Sequence, residues 1–457
     1  MQHGDERDDA NVHGGRVIPL LTSGAMRDAD ARAVAERGVG ALVDLAGTAV
    51  ALHAKRLLRS CYGKRVAVMV GPGLNGADGR VAASWLTSRG ARVHLVYWND
   101  LPAQFGGYDL VIDAAFGLGC TRPFTAPKVS IDTLVLAVDL PSGVDADSGA
   151  LLGEPMVASA TLALGALKPA HLAGPSANFV GEIHFAGLGI VSRYHDGLLD
   201  DGDLAGLVTS HHDDHKWTHA VQALVGSPLM PGAAELVLRG ALAGGASMLR
   251  LESRGDVAAS VRLPPEVVHA SASTVDPRAR AVVAGPGLGP DAATWLRERL
   301  TGVNCPVVLD ADGLDRTLID QLSPRDGSWV LTPHEGEFAR LTGNPLGPNR
   351  IDDVRELARA TGCVVLLKGP VTVIANPSGV LRVVTSGTPT LATAGTGDVL
   401  SGLIAATIAR GHEPLDAAAL AAHLHGRAGA RLVAYATASD VATKVGELLH
   451  ELSRTGR

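Results

Sequence analysis

Aromatic residues are scarce in this sequence: five Trp, five Tyr and six Phe make up 4% of 457 residues. A core with so few rings is filled by aliphatic side chains against Ala and Gly, which suits tightly packed α/β layers. Cysteine is scarce as well. Cys61, Cys120, Cys305 and Cys363 stand far apart, as neither a C-x-x-C metal knuckle nor a disulfide framework, so a reducing compartment is expected. Positive charge is not in excess. The formal net charge is −7 and no Lys/Arg-rich run occurs, so nothing here has the electrostatic footprint of a nucleic-acid binder. No apolar run is long enough to span a bilayer. The opening stretch, MQHGDERDDANVHGG, is acidic and lacks the apolar core of a signal peptide. A cytoplasmic protein without nucleic-acid or membrane partners is expected.

The length exceeds one comfortable core, and hydrophobic and charged contents of 46% and 19% are those of an ordinary globular chain. Residues 1–15 read as a disordered tail. Apolar runs bounded by glycine turns then alternate with helical patterns, as buried parallel strands do in a doubly wound sheet. Strands are expected at 66–70, 92–98, 109–117, 133–143 and 161–168, giving a first domain over 16–195. Over 196–214 the periodicity breaks into an acidic, His-bearing stretch. Its HHDDH is read as part of a solvated linker rather than a metal cluster. A second ladder, 215–457, has expected strands at 222–227, 281–287, 306–314, 329–337, 364–369 and 371–377.

The most informative stretch is TLATAGTGDVLSGLIAATIARG, from Thr390 to Gly411. Leu400, Leu403, Ile404 and Ile408 share one face at helical spacing, which places Gly395, Thr396 and Gly397 at a helix N-terminus. Free backbone N–H groups and the positive end of the helix dipole make that an anion site. A carboxylate there, Asp398, is either a first-turn residue or a general base beside a phosphoryl group. GPGLG (285–289), LDADGL (309–314), TPHEGE (332–337) and LLKGP (366–370) all fall at strand ends, the ligand-binding edge of open α/β folds.

Together these segments resemble the ribokinase-like ADP/ATP-dependent NAD(P)H-hydrate dehydratases over residues 215–450. The resemblance implies removal of water from a 6-hydroxylated nicotinamide ring, driven by phosphoryl transfer from ADP, or alternatively ATP, with Mg²⁺. It implies Asp398 as base and Gly395, Thr396 and Gly397 as the anion hole. Lys368, Gly369, Pro370, Val371 and Thr372 would line the nucleotide, and Ala233, Gly287, His334 and Asp398 the hydrate. The carboxylates of LDADGL and HEGE would serve Mg²⁺ or water. The family's H-K-G-x-x-G opening reads His215-Lys216-Trp217-Thr218-His219-Ala220 here, without either glycine.

In the first half, GPGLNGADG (71–79), DAAFGLGCTRPF (113–124) and AVDLPSGVDADSG (137–149) follow three successive strands. This trio resembles the NAD(P)H-hydrate epimerase domain, often fused ahead of the dehydratase, and covers residues 20–190. The resemblance implies that Asn75, Asp113 and Ser142 hold K⁺ and that Asp139 is the acid/base group. Asn75, Gly76, Ala77 and Asp78, with Gly117, Leu118, Gly119, Cys120, Thr121, Arg122 and Pro123, would bind the hydrate. Lys168, at a strand end, is a further candidate. Leu74 and Ala77 replace an asparagine and a glycine of the family loop, and Ala77 would be strained if its φ had to be positive.

The expected fold class is thus α/β, a Rossmann-like doubly wound α/β/α sandwich followed by a ribokinase-like α/β domain. The rivals are a ribokinase-like small-alcohol (thiamine-precursor) kinase, and a dehydratase carrying an inactive N-terminal scaffold. A homo-oligomer is expected, with the Ala/Gly-rich 417–435 stretch packing against another subunit or within the fold.

Overall fold

A computed structural model describes residues 17–190, 195–208, 214–257, 260–270, 274–347 and 349–455. The expected tail and His211, His212 and Asp213 of HHDDH lie outside the described residues. The chain divides into two compact units. One spans Ile18–Gly197 with Gly347–Asp353, the other Leu198–Leu346 with Val354–Arg457.

In the N-terminal unit, α1 (Ser23–Arg37) and α2 (Val39–Leu58) precede β1 (Arg65–Val70), α3 (Leu74–Thr87) and β2 (Arg92–Tyr97). Then come β3 (Leu110–Ala114), β4 (Leu134–Val138), β5 (Ala160–Leu164), the short α4 (Pro169–Leu172) and β6 (Glu182–Ala186). The strands lie parallel in the order β6-β5-β4-β3-β1-β2. Chain order reverses between β1 and β3, and the carboxyl ends of those strands open the crevice where ligands enter such sheets. Val66, Val68 and Val70 of β1 and Ile112 of β3 fill one face with Ala46, Val50 and Ala54 of α2.

α3 begins at Leu74, so the expected loop over 71–79 shrinks to Gly71-Pro72-Gly73, and Asn75 to Asp78 ride on the helix's first turns. Ala77 is not among the residues with positive φ, so the strain expected there is absent. Gly76 has a packing reason: a Cβ there would lie 2.0 Å from the Gly71 carbonyl oxygen.

In the C-terminal unit, β7 (Ala220–Leu224), α5 (Pro231–Ala243), β8 (Met248–Glu252) and β9 (Val267–His269) come first. They are followed by β10 (Ala281–Ala284), α6 (Ala292–Leu300), β11 (Val307–Leu309), α7 (Arg316–Leu322), β12 (Val330–Leu331) and α8 (Glu335–Thr342). Next are α9 (Arg350–Thr361), which belongs to this unit from Val354 on, β13 (Val364–Leu367), β14 (Thr372–Ala375) and β15 (Leu381–Val384). Three helices end the unit: α10 (Thr396–Ala409), α11 (Pro414–Ala430) and α12 (Ala438–Thr455).

The sheet runs β15-β14-β13-β12-β11-β10-β7-β8-β9. It is parallel from β13 to β9, with β14 and β15 antiparallel at one side. Its switch point lies between β7 and β10. β8, β9 and β15 were not among the expected strands. α10 is buried nearly all round rather than on one face, and crosses α5 at close range. Cβ atoms at Gly240 of α5 and Gly402 of α10 would come within 2.1 Å of the Val399 and 2.0 Å of the Val237 carbonyl oxygens.

One expectation changes here, and one alternative is chosen. Leu199, Leu204 and Leu207 are buried in the core of the C-terminal unit, so the described part of the 196–214 stretch is packed rather than a solvated linker. The Ala/Gly-rich helix α11 is buried along most of its length within its own unit, which leaves little of it to meet another subunit.

Candidate active sites

In the C-terminal unit the strand ends bring Asp310, Thr332, His334 and Lys368 to one edge, and α10 aims its N-terminus at the same place. Gly395 caps that helix with φ 90, a conformation a side chain rarely adopts, and Asp398 sits in its first turn. A Cβ on Gly397 would lie 3.6 Å from Lys368 Nζ, so helix end and lysine face each other. Lys368 Nζ donates to Asp310 Oδ1 at 2.9 Å and lies 3.5 Å from Glu337 Oε2. Burial alone would lower the lysine's pKa, but Asp310 and Glu337 more than offset it and hold the ammonium above its usual range. Two of the four carboxylates expected to serve Mg²⁺ or water, Asp310 and Glu337, are thus tied to Lys368. Asp312 accepts the Gly289 N–H at 2.9 Å and fixes the GPGLG loop.

Asp398 is half-buried. Burial, then Asp310, raise its carboxyl to about 7 against the pull of Lys368, with Asp312 and Glu337 adding to the rise. A base with that pKa exchanges protons near neutrality.

A cavity of about 380 Å³ opens from Gly397 and Thr396 and is lined by Lys368, Gly369, Pro370 and Thr372. Val371 and Gly395 do not line it. Its walls include Val384, Leu391, Leu400 and Ala422, an apolar slot beside a polar, anion-favouring end. His425 also lines it, a residue that sequence reasoning missed because it falls within a run of small helical residues. The ring is neutral, its pKa lowered to about 4 by burial, and its Nε2 has no partner among the described residues.

On the hydrate side, Gly287 and Ala233 come together: a Cβ on Gly287 would lie 2.7 Å from the Ala233 Cβ. His334 caps α8, its Nδ1 accepting the Gly336 and Glu337 N–H groups at 3.0 and 3.2 Å. The ring is largely exposed, and its other nitrogen, Nε2, lies 3.6 Å from Glu337 Oε1. Among the described residues no cluster of three or more His, Cys, Asp or Glu is arranged to hold a metal. With Asp310 and Glu337 engaged by Lys368, the donor set suits a Mg²⁺ that arrives on phosphates and keeps much of its water.

The N-terminal cavity, about 440 Å³, sits at the β1/β3 switch point. Asn75, Asp78, Gly117, Leu118, Gly119, Asp139 and Lys168 line it, together with Asp30 from α1. Gly76, Ala77, Cys120, Thr121, Arg122 and Pro123 do not. Cys120 is buried, its thiol pushed up by that burial, and Thr121 to Pro123 are exposed.

Asp139 holds φ 67, rare for a residue with a side chain. Its backbone N–H donates to Leu162 O at 2.9 Å and its Oδ1 accepts the Leu164 N–H at 3.2 Å. Lys168, fully buried, forms an ion pair with Asp139 and donates to Leu164 O at 2.9 Å. His171 completes the arrangement. Its Nδ1 accepts the Lys168 N–H at 2.9 Å, and burial, then Lys168, depress its pKa to about 4. The neutral ring therefore carries its proton on Nε2 and donates to Asp139 O at 2.6 Å. Sequence reasoning ranked Lys168 low and missed Asp30 and His171, because nothing in a helical pattern marks which polar face meets a strand end distant in the sequence.

The expected K⁺ ligands also converge. Asp113 is fully buried, and it accepts the Ser142 hydroxyl at 2.5 Å and the Ser142 N–H at 2.8 Å. Burial raises its pKa, and no cationic side chain figures among its influences. Asn75 Nδ2 donates to Val138 O at 2.9 Å, which leaves its carbonyl oxygen unspent toward Gly117. Amide, carboxylate and hydroxyl oxygens around a buried carboxylate without a cation fit a hard monovalent ion.

Family models match both halves. Residues 221–451 match the NAD(P)H-hydrate dehydratase model, and residues 39–104 and 98–170 match the model of the YjeF-related protein N-terminus. The bifunctional NAD(P)H-hydrate repair enzyme Nnr of Mycobacterium leprae is 35% identical over 474 residues, 94% of this chain and 97% of that protein. The chain belongs to the bifunctional NAD(P)H-hydrate repair enzyme family. The member of that name from Synechocystis is 32% identical over 86% of each chain. The crystal structure of the ADP/ATP-dependent NAD(P)H-hydrate dehydratase from Bacillus subtilis, co-crystallized with ATP/Mg²⁺, superposes with TM-score 0.50 at 30% identity. That match covers 56% of this chain and 96% of that one. A ribokinase-like superfamily protein from Enterococcus faecalis, at 22% identity and TM-score 0.50, supports the fold alone. A repair-enzyme relative that spans nearly the whole chain leaves the small-alcohol kinase behind, since that reading accounts for the C-terminal half only.

Proposed function

We propose that the chain repairs hydrated NADH and NADPH with two activities: epimerisation of the R and S hydrates in the N-terminal unit, and nucleotide-driven dehydration of the S form in the C-terminal unit. The observation that carries the second activity is the meeting of Asp398, its pKa near neutrality, with Lys368 and the α10 N-terminus, beside the 380 Å³ cavity that Lys368, Thr396 and Gly397 line. Asp398 takes the proton of the ring hydroxyl, whose oxygen then attacks the terminal phosphorus of ADP. Lys368 and the Gly395–Gly397 backbone stabilise the charge that develops on the phosphoryl oxygens. The phosphorylated oxygen then leaves as phosphate, and loss of a proton from the neighbouring ring carbon restores the double bond. AMP, phosphate and NAD(P)H are the products. Gly369, Pro370 and Thr372 seat the nucleotide, and Ala233, Gly287 and His334 seat the hydrate. Mg²⁺ would supply charge neutralisation on the phosphates.

In the N-terminal unit Asp139, oriented by Lys168 and His171, is the acid/base group, and Asn75, Asp113 and Ser142 would hold K⁺. That ion would supply fixed positive charge beside the Gly117–Gly119 backbone, where the substrate's phosphates fit. Asp139→Asn should reduce epimerisation of purified R-hydrate about 10²-fold or more while leaving nucleotide-dependent dehydration of S-hydrate intact. Epimerisation at the wild-type rate in that variant would remove Asp139 from the mechanism. Whether copies of the chain associate is tested by light scattering, for which an oligomer is the proposed result and a monomer the contrary one.

A further inference from the structure

Three carboxyl groups share the N-terminal cavity, and among the described residues one of them, Asp139, is held in an ion pair. Lys168 pairs with Asp139, while Asp30 from α1 and Asp78 from the start of α3 line the same space. Asp78 is 5% exposed. Burial first, then Asp139 and Asp30, push its carboxyl up to about 8, with Arg80 on its own helix a lesser opposing influence. Asp30 is raised by its burial and by Asp139, and lowered by Lys168. At neutral pH the cavity therefore presents a protonated Asp78 opposite the Lys168-bound Asp139, two carboxyl groups whose surroundings assign them opposite duties.

We propose that Asp78 is the general acid of epimerisation and Asp139 the general base, acting through departure and return of the ring hydroxyl. This rests on reading the cavity as the site of the hydrated nicotinamide. The carbon that bears the hydroxyl also bears the ring nitrogen. Asp78 gives its proton to the hydroxyl oxygen, the C–O bond breaks with its electron pair going to oxygen, and water leaves. The nitrogen lone pair closes a C=N double bond and flattens the carbon. Water then adds to the opposite face, the nitrogen recovers its lone pair, and the surplus proton passes to Asp139. Nothing is oxidised or reduced, and the reverse passage returns the proton to Asp78. Asp30, whose charge disfavours ionisation of Asp78, is a positioning residue that keeps the acid protonated.

The test uses the full chain and purified R-hydrate in isotopically labelled water. Wild type should give S-hydrate carrying solvent oxygen. Asp78→Asn should slow its formation about 10²-fold or more, and Asp78→Glu should restore part of the rate. The wild-type rate should fall as pH rises through about 8, and Asp30→Asn should move that fall to lower pH. Folded Asp78→Asn at the wild-type rate, or S-hydrate without label, overturns the proposal. Should Asp78→Asn fail to fold, an alkaline limb that Asp30→Asn leaves in place overturns it instead. A wild type that does not epimerise at all removes the reading of the cavity, a different failure from a wild type that epimerises without Asp78.

Discussion

What suits Asp398 to the proposed role of base also costs the fold stability. Its folded pKa of about 7 lies above the unfolded value of 3.8, so between those values the native state holds a proton the unfolded chain has released. The stabilisation this gives is present at low pH and lost as pH rises through about 7. Asp398→Asn should therefore melt higher than wild type above neutrality, with the gap closing toward pH 4; melting curves at several pH values check this. The same variant should lose about 10²-fold or more in nucleotide-dependent dehydration, and the wild-type rate should rise with pH up to about 7. A flat wild-type profile across that range would take proton abstraction away from this residue. Asp398 was legible in the sequence because a glycine-rich turn, a carboxylate and a helix lie in one continuous stretch. Asp30, His171 and His425 were not. Each reaches its site through tertiary packing from a helix whose local pattern is that of any amphipathic or buried helix.

At the scale of elements, what aims α10 is its contact with α5. Gly240 and Gly402 let the two backbones approach closer than any side chain permits. Gly240→Ala should destabilise the chain by about 1–3 kcal/mol, read from urea denaturation, and should raise the KM for nucleotide as α10 is pushed off Lys368. A variant with unchanged stability would mean that the helices part at no cost. Most strands were readable from Val/Leu runs, yet β6, β8, β9 and β15 were not. β8, MLRLE, alternates burial and carries Arg250 and Glu252, so it reads as a polar segment until its neighbours are known. The start of α3 was misplaced for a related reason: Gly76 and Gly79 look like loop glycines, but they sit on a helix face pressed against strand ends.

On the scale of the whole molecule, each unit carries its own switch-point crevice and its own set of perturbed carboxyl groups. The order of the halves, the α/β class and both strand-end motif sets were present in the sequence, because buried parallel strands and glycine turns are local signals. The 196–214 stretch was not, since a few leucines among acidic residues reveal their burial only once a core exists to receive them. Two proposed sites on one chain make a specific demand on a substrate that is a mixture of epimers. The most direct measurement follows nicotinamide absorbance as NADPH forms from a mixture of R and S hydrates with Mg²⁺ and ADP. Conversion of the whole mixture, faster than uncatalysed epimerisation allows, is the predicted result. Conversion of the S fraction alone would contradict the N-terminal activity, and no conversion with ADP or ATP would contradict the repair function itself.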